Sequence, residues 1–331
     1  MNIGIISVDY FLPKTIVKTS EMMDELQPER FGVSNTFIED NVGVKQVRHA
    51  ETEQKPSELA IPAAHKAIAS AGIRSDEIGV IIFCGIDRDY TEPSTAHNIQ
   101  KAIGGRGFCF DVSNACLGFA NGLLEAEMWV RAGRAKYALV CTGEKPSLVS
   151  KDWIEHIKRS DDLAVFKRKV GGLTVGDAGA AAVVGATESE AGFKGFWFSS
   201  EGEYADLCYY SMDQGERVGE MVMNKISAVM LRSHKRLYAQ SLSELNWNAH
   251  DIGVLIAHQV GRKPWQKCAE IFNVDLNKLT KTYDVLGNIT SATFPVNLAL
   301  GLENGIINTG QKCFGALAGS GLSVVHFGLQ L

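Results

Sequence analysis

The chain has 331 residues, 45% of them hydrophobic and 21% charged, with a formal net charge of −5. That balance describes a globular protein large enough for two core-forming units, and without long basic runs it excludes a nucleic-acid footprint. No apolar run approaches the roughly 20 residues that span a bilayer, and the seven cysteines lie mostly in apolar runs without a CxxC pair, which fits a reducing cytoplasm and neither a disulfide framework nor a zinc site.

In chain order, MNIGIISVDYFLPK lacks a basic n-region, and Asp9 breaks its apolar stretch, so it reads as a first strand and not as a signal peptide. The amphipathic run SELAIPAAHKAIASAG predicts a helix before the buried strand DEIGVIIFCG. The loop IDRDYTEPSTA follows, and then FDV, a strand that leads through SNACLG into the helical run ANGLLEAEMWVRAG. KYALVCTGE is the next apolar strand. The charged stretch 150–170, SKDWIEHIKRSDDLAVFKRKV, reads as a helical insertion, a cap or interface element. GDAGAA at 176–181 reads as a loop entering a buried strand, with Asp177 structural. Polar and small residues in ATESEAG, around 186–192, mark a boundary. Beyond it come the helical run KISAVMLRSHKRLYAQSL, the strand HDIGVLIAHQ, the segment YDVLGNIT, and KCFGALAGSG running into a glycine turn.

The second series repeats the first. Gly79 and Gly253, and Asp111 and Asp284, are separated by nearly the same interval, with helix and strand signals matching in order. A single apolar strand recurs by chance; four elements in register do not. The expected architecture is α/β, with two pseudo-symmetric halves, residues 1–187 and 188–331, each of parallel strands joined by helical crossovers.

Strand ends are where such folds collect their chemistry. Cys116 follows FDV at a helix mouth, where unpaired N–H groups favour a thiolate. Asn288 follows YDV and is expected at the equivalent position of the other half. His258 ends DIGVLIA at the same level. Taken singly, each has an ordinary reading: a core cysteine, a satisfied histidine, a turn asparagine. Together they form a nucleophile, a group to polarise a carbonyl, and a neutral double donor. The N–H of Cys116 and the turn Gly319-Ser320-Gly321 could both face an oxyanion. Neither GxGxxG nor GxxxxGKS occurs, against a nucleotide fold.

The motifs DVSNACLGF, GDAGAA, IAHQV, LGNITSA and GSG, spread over nearly the whole chain, resemble the thiolase-fold condensing enzymes of the β-ketoacyl-acyl carrier protein synthase III type. The resemblance implies an α-β-α-β-α layered fold, with Cys116 as the acylated nucleophile, His258 and Asn288 completing the triad, and Gly321 with the Cys116 N–H lining an oxyanion site. It implies no metal and no cofactor, with coenzyme A or phosphopantetheine thioesters as substrates. Acyl-CoA or an acyl carrier protein is the implied partner, in a homodimer. Biosynthetic thiolases carry a second cysteine in the C-terminal glycine loop. Here the loop is GSG and Cys313 lies upstream, so thiolase proper is disfavoured.

The loop IDRDYTEPSTA is similar to that of bacterial enzymes that join two fatty acyl thioesters head to head in olefin biosynthesis, and to that of pyrone-forming ketosynthases. By that resemblance Glu92 is the base that removes an α-proton, within its own site or across to a partner subunit. The interval from Glu92 to Cys116 is two residues shorter than in the olefin enzymes, and the turn IGGRGF is the expected place of the shortening. A simple thioester is a weak carbon acid, so condensation without decarboxylation needs such a carboxylate. The expected activity is therefore a ping-pong Claisen condensation of acyl thioesters through an acyl-cysteine. The alternatives are a malonyl-dependent synthase III in fatty-acid or polyketide assembly, a synthase of the hydroxymethylglutaryl type, and a non-catalytic partner of a heterodimeric ketosynthase. Arg262, Lys263 and Lys267, after the His258 strand, are candidate contacts for CoA phosphates or an acidic carrier, although solvated charges on a turn look the same.

Overall fold

The structure, a computed structural model, describes residues 1–188 and 190–331. The chain opens with β1 (Asn2–Phe11) and an antiparallel pair, β2 (Thr15–Lys18) with β3 (Gln46–His49). β4 (Ile78–Phe83), β5 (Phe108–Asp111) and β6 (Tyr137–Glu144) follow, parallel to one another, and β7 (Ala178–Thr187) closes a five-stranded sheet in the order β1-β7-β6-β4-β5. β8 (Gly192–Ser200) starts the second half, which then forms a separate hairpin of β9 (Cys208–Asp213) and β10 (Glu216–Met221). β11 (Val254–Ala257), β12 (Lys312–Gly319) and β13 (Ser323–Gln330) complete a four-stranded sheet, β11-β12-β13-β8. β7 of the first sheet ends at Thr187 and β8 of the second begins at Gly192; Ser189, between them, lies outside the described residues.

The two sheets face each other across two helices, Gly118–Arg131 and Thr293–Glu303, whose Phe119, Leu123, Phe294 and Leu298 share one core with Val80 and Ile82 of β4 and Val325 and Phe327 of β13. Helices Pro56–Ser70 and Thr95–Ile103 cover the outer face of the first sheet. Met223–Leu245 and Arg262–Phe272 cover the outer face of the second. The result is α-β-α-β-α. With both faces covered, β6 is buried along nearly its whole length, which is why KYALVC reads as an unbroken apolar run and not as an alternation.

The symmetry is closest around the central helices. Each begins with a short 3-10 turn, Ala115–Leu117 and Thr290–Ala292, and each turn starts at a left-handed non-glycine residue: Ala115 at φ +46° and Thr290 at φ +50°. In this register the counterpart of Cys116 is Ser291, not Asn288, which corrects the equivalence expected from FDV and YDV. The segment Tyr283–Leu286 is also a helical turn and not a strand. The Gln259 carboxamide oxygen accepts the N–H groups of Thr282 and Tyr283, capping that turn at its start. What remains of the strand is a single bridge between Leu255 and Leu279.

The insertion at 150–170 folds as two helices, Ser147–Lys158 and Leu163–Lys169. They grip the β9–β10 hairpin: the Trp153 indole donates to the Arg217 carbonyl at 3.1 Å, Asp152 accepts the Arg217 N–H at 2.9 Å, and Lys169 donates to the Gly219 carbonyl at 2.9 Å. A first-half insertion thus holds a second-half hairpin over the space between the halves. Asp177 is structural, as expected: buried, it accepts from Ala50 N–H and from both N–H and hydroxyl of Ser147. Among the described residues no helix is long and apolar enough to cross a membrane.

Candidate active site

A cavity of about 520 Å³ opens where the two halves meet, and Cys116, His258 and Asn288 all line it. Cys116 sits in the Ala115–Leu117 turn directly before the central helix, so its N–H belongs to the helix mouth. Gly118 starts that helix against the end of β4; a Cβ there would stand 2.1 Å from the Cys84 carbonyl oxygen. His258 continues β11, its N–H donating to the Ala316 carbonyl at 3.0 Å. Asn288 is fixed through its backbone to Thr174 and through its side-chain oxygen, which accepts the Thr290 N–H at 2.9 Å. That leaves the Asn288 amide nitrogen free to donate into the cavity. Gly287, at φ +65°, makes this approach possible, since a Cβ would lie 2.2 Å from the Thr174 carbonyl oxygen.

Burial sets the charge states. It pushes the Cys116 thiol well up from its ordinary value, and the field of Glu144 adds to the push. The helix mouth works against that rise but is outweighed by burial, so the thiol lies above its ordinary value and not below it as expected. Burial also holds His258 down to about 4, so its imidazole is neutral near pH 7; its Nδ1 is sealed from solvent and has no hydrogen-bond partner among the described residues.

Other expected site residues lie elsewhere. Glu92 is exposed in the loop between β4 and the helix Thr95–Ile103 and does not line the cavity of its own protomer. Gly319 and Ser320 form the cavity wall in place of Gly321, and Gly319 is the close neighbour of the Cys116 nitrogen. Arg262 donates to the carbonyls of Glu39 and Asp40, at 3.0 and 2.8 Å, and so ties off the helix Phe37–Asn41. Lys267 is paired with Glu270, whereas Lys263 is exposed with no such partner among the described residues.

Several cavity residues have no counterpart in the sequence-based expectations. Glu144, 1% exposed at the end of β6, accepts from the hydroxyls of Ser291 and Thr142 and from the Ile86 N–H, and burial raises it to about 7. A carboxylate closing the otherwise uncharged strand YALVCTGE was the available signal. Cys208, on β9, reaches Ser320 at 3.2 Å and places a second thiol in the cavity. His234 lines it from the helix Met223–Leu245. Behind it, the Ser241 hydroxyl donates to the Tyr238 carbonyl and so accepts from His326 Nδ1; His326 Nε2 then accepts from His234 Nδ1 at 2.9 Å. That chain leaves His234 Nε2 as a bare acceptor.

The family described as 3-oxoacyl-[acyl-carrier-protein] synthase III matches residues 110–202, and its C-terminal portion matches residues 242–329. An acyl-CoA:acyl-CoA alkyltransferase of Xanthomonas campestris is 28% identical over 97% of this chain and 96% of its own length. One from Shewanella oneidensis is 27% identical over 98% and 97%. A β-ketoacyl-[acyl-carrier-protein] synthase III of Bacillus cereus is 25% identical over 98% and 97%. The solved structure of X. campestris OleA with bound cerulenin superposes with a TM-score of 0.93 at 27% identity, covering 100% of this chain and 97% of that one. A cysteine-to-serine variant of the same protein holds lauric acid and lauroyl-CoA, with a TM-score of 0.93 at 26% identity, covering 100% and 99%. In the OleA variants, the substituted cysteine and histidine are separated by the same interval as Cys116 and His258. The substituted glutamate precedes that cysteine by two more residues than Glu92 precedes Cys116. With matched segments spanning more than half of its length and relatives aligned end to end, the chain belongs to the 3-oxoacyl-[acyl-carrier-protein] synthase III family of thiolase-fold condensing enzymes.

Proposed function

We propose that this protein joins two acyl thioesters by a ping-pong Claisen condensation that needs no malonyl unit, with Cys116 as nucleophile and Glu92 of a second subunit as base. The observation that carries the reading is the convergence of Cys116, His258 and Asn288 on one cavity that opens between the halves.

In the first half-reaction the Cys116 sulfur attacks an acyl thioester. The thiol proton passes to the departing thiolate, leaving acyl-Cys116 and a free thiol. A thiol held protonated by burial suits this exchange, because the proton is at hand where the leaving group needs it. The Cys116 N–H, beside Gly319, receives the carbonyl oxygen as it gains charge. In the second half-reaction Glu92 takes an α-proton from another thioester. The enolate oxygen lies between His258 and the Asn288 amide, both neutral donors. The enolate carbon attacks acyl-Cys116, the C–S bond breaks, and the sulfur recovers the proton from Glu92. The product is an α-branched β-ketoacyl thioester.

The second subunit follows from the sheet edge. β5 is paired only to β4, and beside its free edge Phe108, 61% exposed, stacks on Trp129 at 5.8 Å, next to the exposed Met128. An unpaired edge with an aromatic patch fits antiparallel addition of a second copy. The loop carrying Glu92 leads into the helix whose first N–H groups are held by Asp111 of β5, so it sits beside that edge. Donors are acyl-CoA or an acyl carrier protein, with Lys263 the remaining candidate contact, and the disulfide-free cysteines suit the cytoplasm.

The test is to mix the protein with dodecanoyl-CoA alone, follow the intact mass and analyse the product. The expected result is one dodecanoyl adduct on Cys116 and a branched β-ketoacyl thioester, with the adduct retained and the product lost in E92Q. Product only on adding malonyl-CoA overturns the role of Glu92. No adduct with any acyl-CoA supports a non-catalytic partner subunit.

A further inference from the structure

We infer that the cavity selects an acyl thioester bearing a hydroxyl group near its thioester end, recognised by Asp87 and Tyr210. This deepens the condensation reading and rests on it.

Asp87 lies in the loop after β4. Its neighbour Ile86 donates its N–H to Glu144 at 3.3 Å, so Asp87 begins one residue from the carboxyl whose field reaches Cys116. Tyr210 approaches from β9 and donates its hydroxyl to Asp87 Oδ1 at 3.3 Å. Asp87 and Tyr210 both line the cavity. Asp89, two residues on, shows what a structural carboxylate in this loop looks like: its oxygens accept from Ser57 N–H and from the Asn98 amide, at 2.9 and 2.6 Å. Asp87 has no such duty, and its Oδ2 accepts no hydrogen bond among the described residues. Burial pushes the Asp87 carboxyl up, while Arg217 and Lys145 draw it back toward the charged form.

Met223, Ile226, Met230 and Val260 give the cavity apolar wall suited to alkyl groups. Of the carboxylates that also line it, Glu144 is engaged by the Ser291 and Thr142 hydroxyls and Glu220 by Arg168, which leaves Asp87 to meet a ligand. A plain methylene chain laid against it strips water from a carboxylate oxygen and gives nothing back. A hydroxyl donates to Asp87 Oδ2, while the Tyr210 hydroxyl stays on Oδ1 and holds the carboxylate in place. Sites built to hydrogen-bond a substrate hydroxyl reject the analogue that lacks it, and one such bond to a charged group discriminates by about tenfold or more.

The test compares rates of Cys116 acylation by 3-hydroxydodecanoyl-CoA and dodecanoyl-CoA, read by intact mass on the full chain. The wild type should favour the hydroxylated thioester by about tenfold or more. D87L should bring the ratio to one or below, and Y210F should reduce it part of the way. D87N, which keeps the shape, serves if D87L does not fold. A wild-type ratio near one, or a D87 variant that slows both thioesters equally, overturns this proposal and leaves the condensation reading intact. No adduct from either thioester overturns both.

Discussion

At the scale of single residues, the site depends on where one buried carboxyl stands. Glu144 and Cys116 line the same cavity, and the negative form of Glu144 opposes formation of a second negative charge on sulfur. The hydroxyl that holds Glu144 belongs to Ser291, the residue occupying the place of Cys116 in the other half. The pseudo-symmetry therefore sets the Cys116 thiol opposite a hydroxyl that orients the carboxyl acting on it. Glu144 titrates at about 7, so its field on the thiol grows as pH rises through neutrality, in the range where a thiol would begin to ionise. Replacing it by glutamine removes that field at every pH and lowers the thiol's resistance to ionisation. E144Q is accordingly expected to shift the pH midpoint of Cys116 alkylation by iodoacetamide, followed by intact mass, to lower values. An unchanged midpoint, or one moved upward, contradicts this electrostatic coupling.

At the scale of elements, the position of the nucleophile turn is set by the close approach of the central helix to β4. Two helix glycines make that approach, and their obstacles differ. A Cβ at Gly118 meets the Cys84 carbonyl oxygen at 2.1 Å, whereas one at Gly122 meets the Cys84 sulfur at 2.3 Å. Overpacking of this kind costs about 1–3 kcal/mol, occasionally more. G118A should destabilise the fold by that amount or more in chemical denaturation and slow acylation of Cys116, with no relief from changing Cys84. G122A should be relieved in part by C84A, the residual coming from Val140 at 2.8 Å. Equal rescue of both variants by C84A would show that the backbone contact is not the limiting one. The same elements show what the sequence could reveal. β4, β6 and β11 were legible because burial on both faces leaves unbroken apolar runs. YDVL was misread because its helical turn is imposed from outside, by the Gln259 side chain accepting from Thr282 and Tyr283, a contact that spans more than twenty residues and leaves no local pattern. Asp87 and Glu144 carry no such signal for a related reason: each closes or follows an apolar strand, and only the fold brings both to the cavity that holds the sulfur.

At the scale of the whole molecule, the two halves bring Cys116, His258 and Asn288 to one cavity but leave Glu92, the proposed base, outside it. Cys116 comes from the first half and His258 and Asn288 from the second, although the repeat points to Asn288 where Ser291 is the true counterpart of Cys116. Glu92 is different, because it is exposed and does not line the cavity that Asp87 of the same loop reaches, and an intrachain repeat says nothing about which subunit it serves. The free edge of β5 and its Phe108–Trp129 stack supply the geometry for a twofold partner that would bring the loop to the neighbouring site. In such a dimer C116A and E92Q are each inactive alone, since one lacks the nucleophile and the other the base at both sites. When the two are refolded together, a mixed dimer contains one site with an intact Cys116 facing an intact Glu92. With random pairing, half of the dimers are mixed and each has one working site, so condensation should return to about a quarter of the wild-type rate. If Glu92 served its own subunit, every site in the mixed dimer would lack one group and no activity would return. Substituting F108K in both chains should abolish the recovery by keeping the subunits apart. Product formation from acyl-CoA alone reads all three arms, and sedimentation of the same samples reports whether dimers formed.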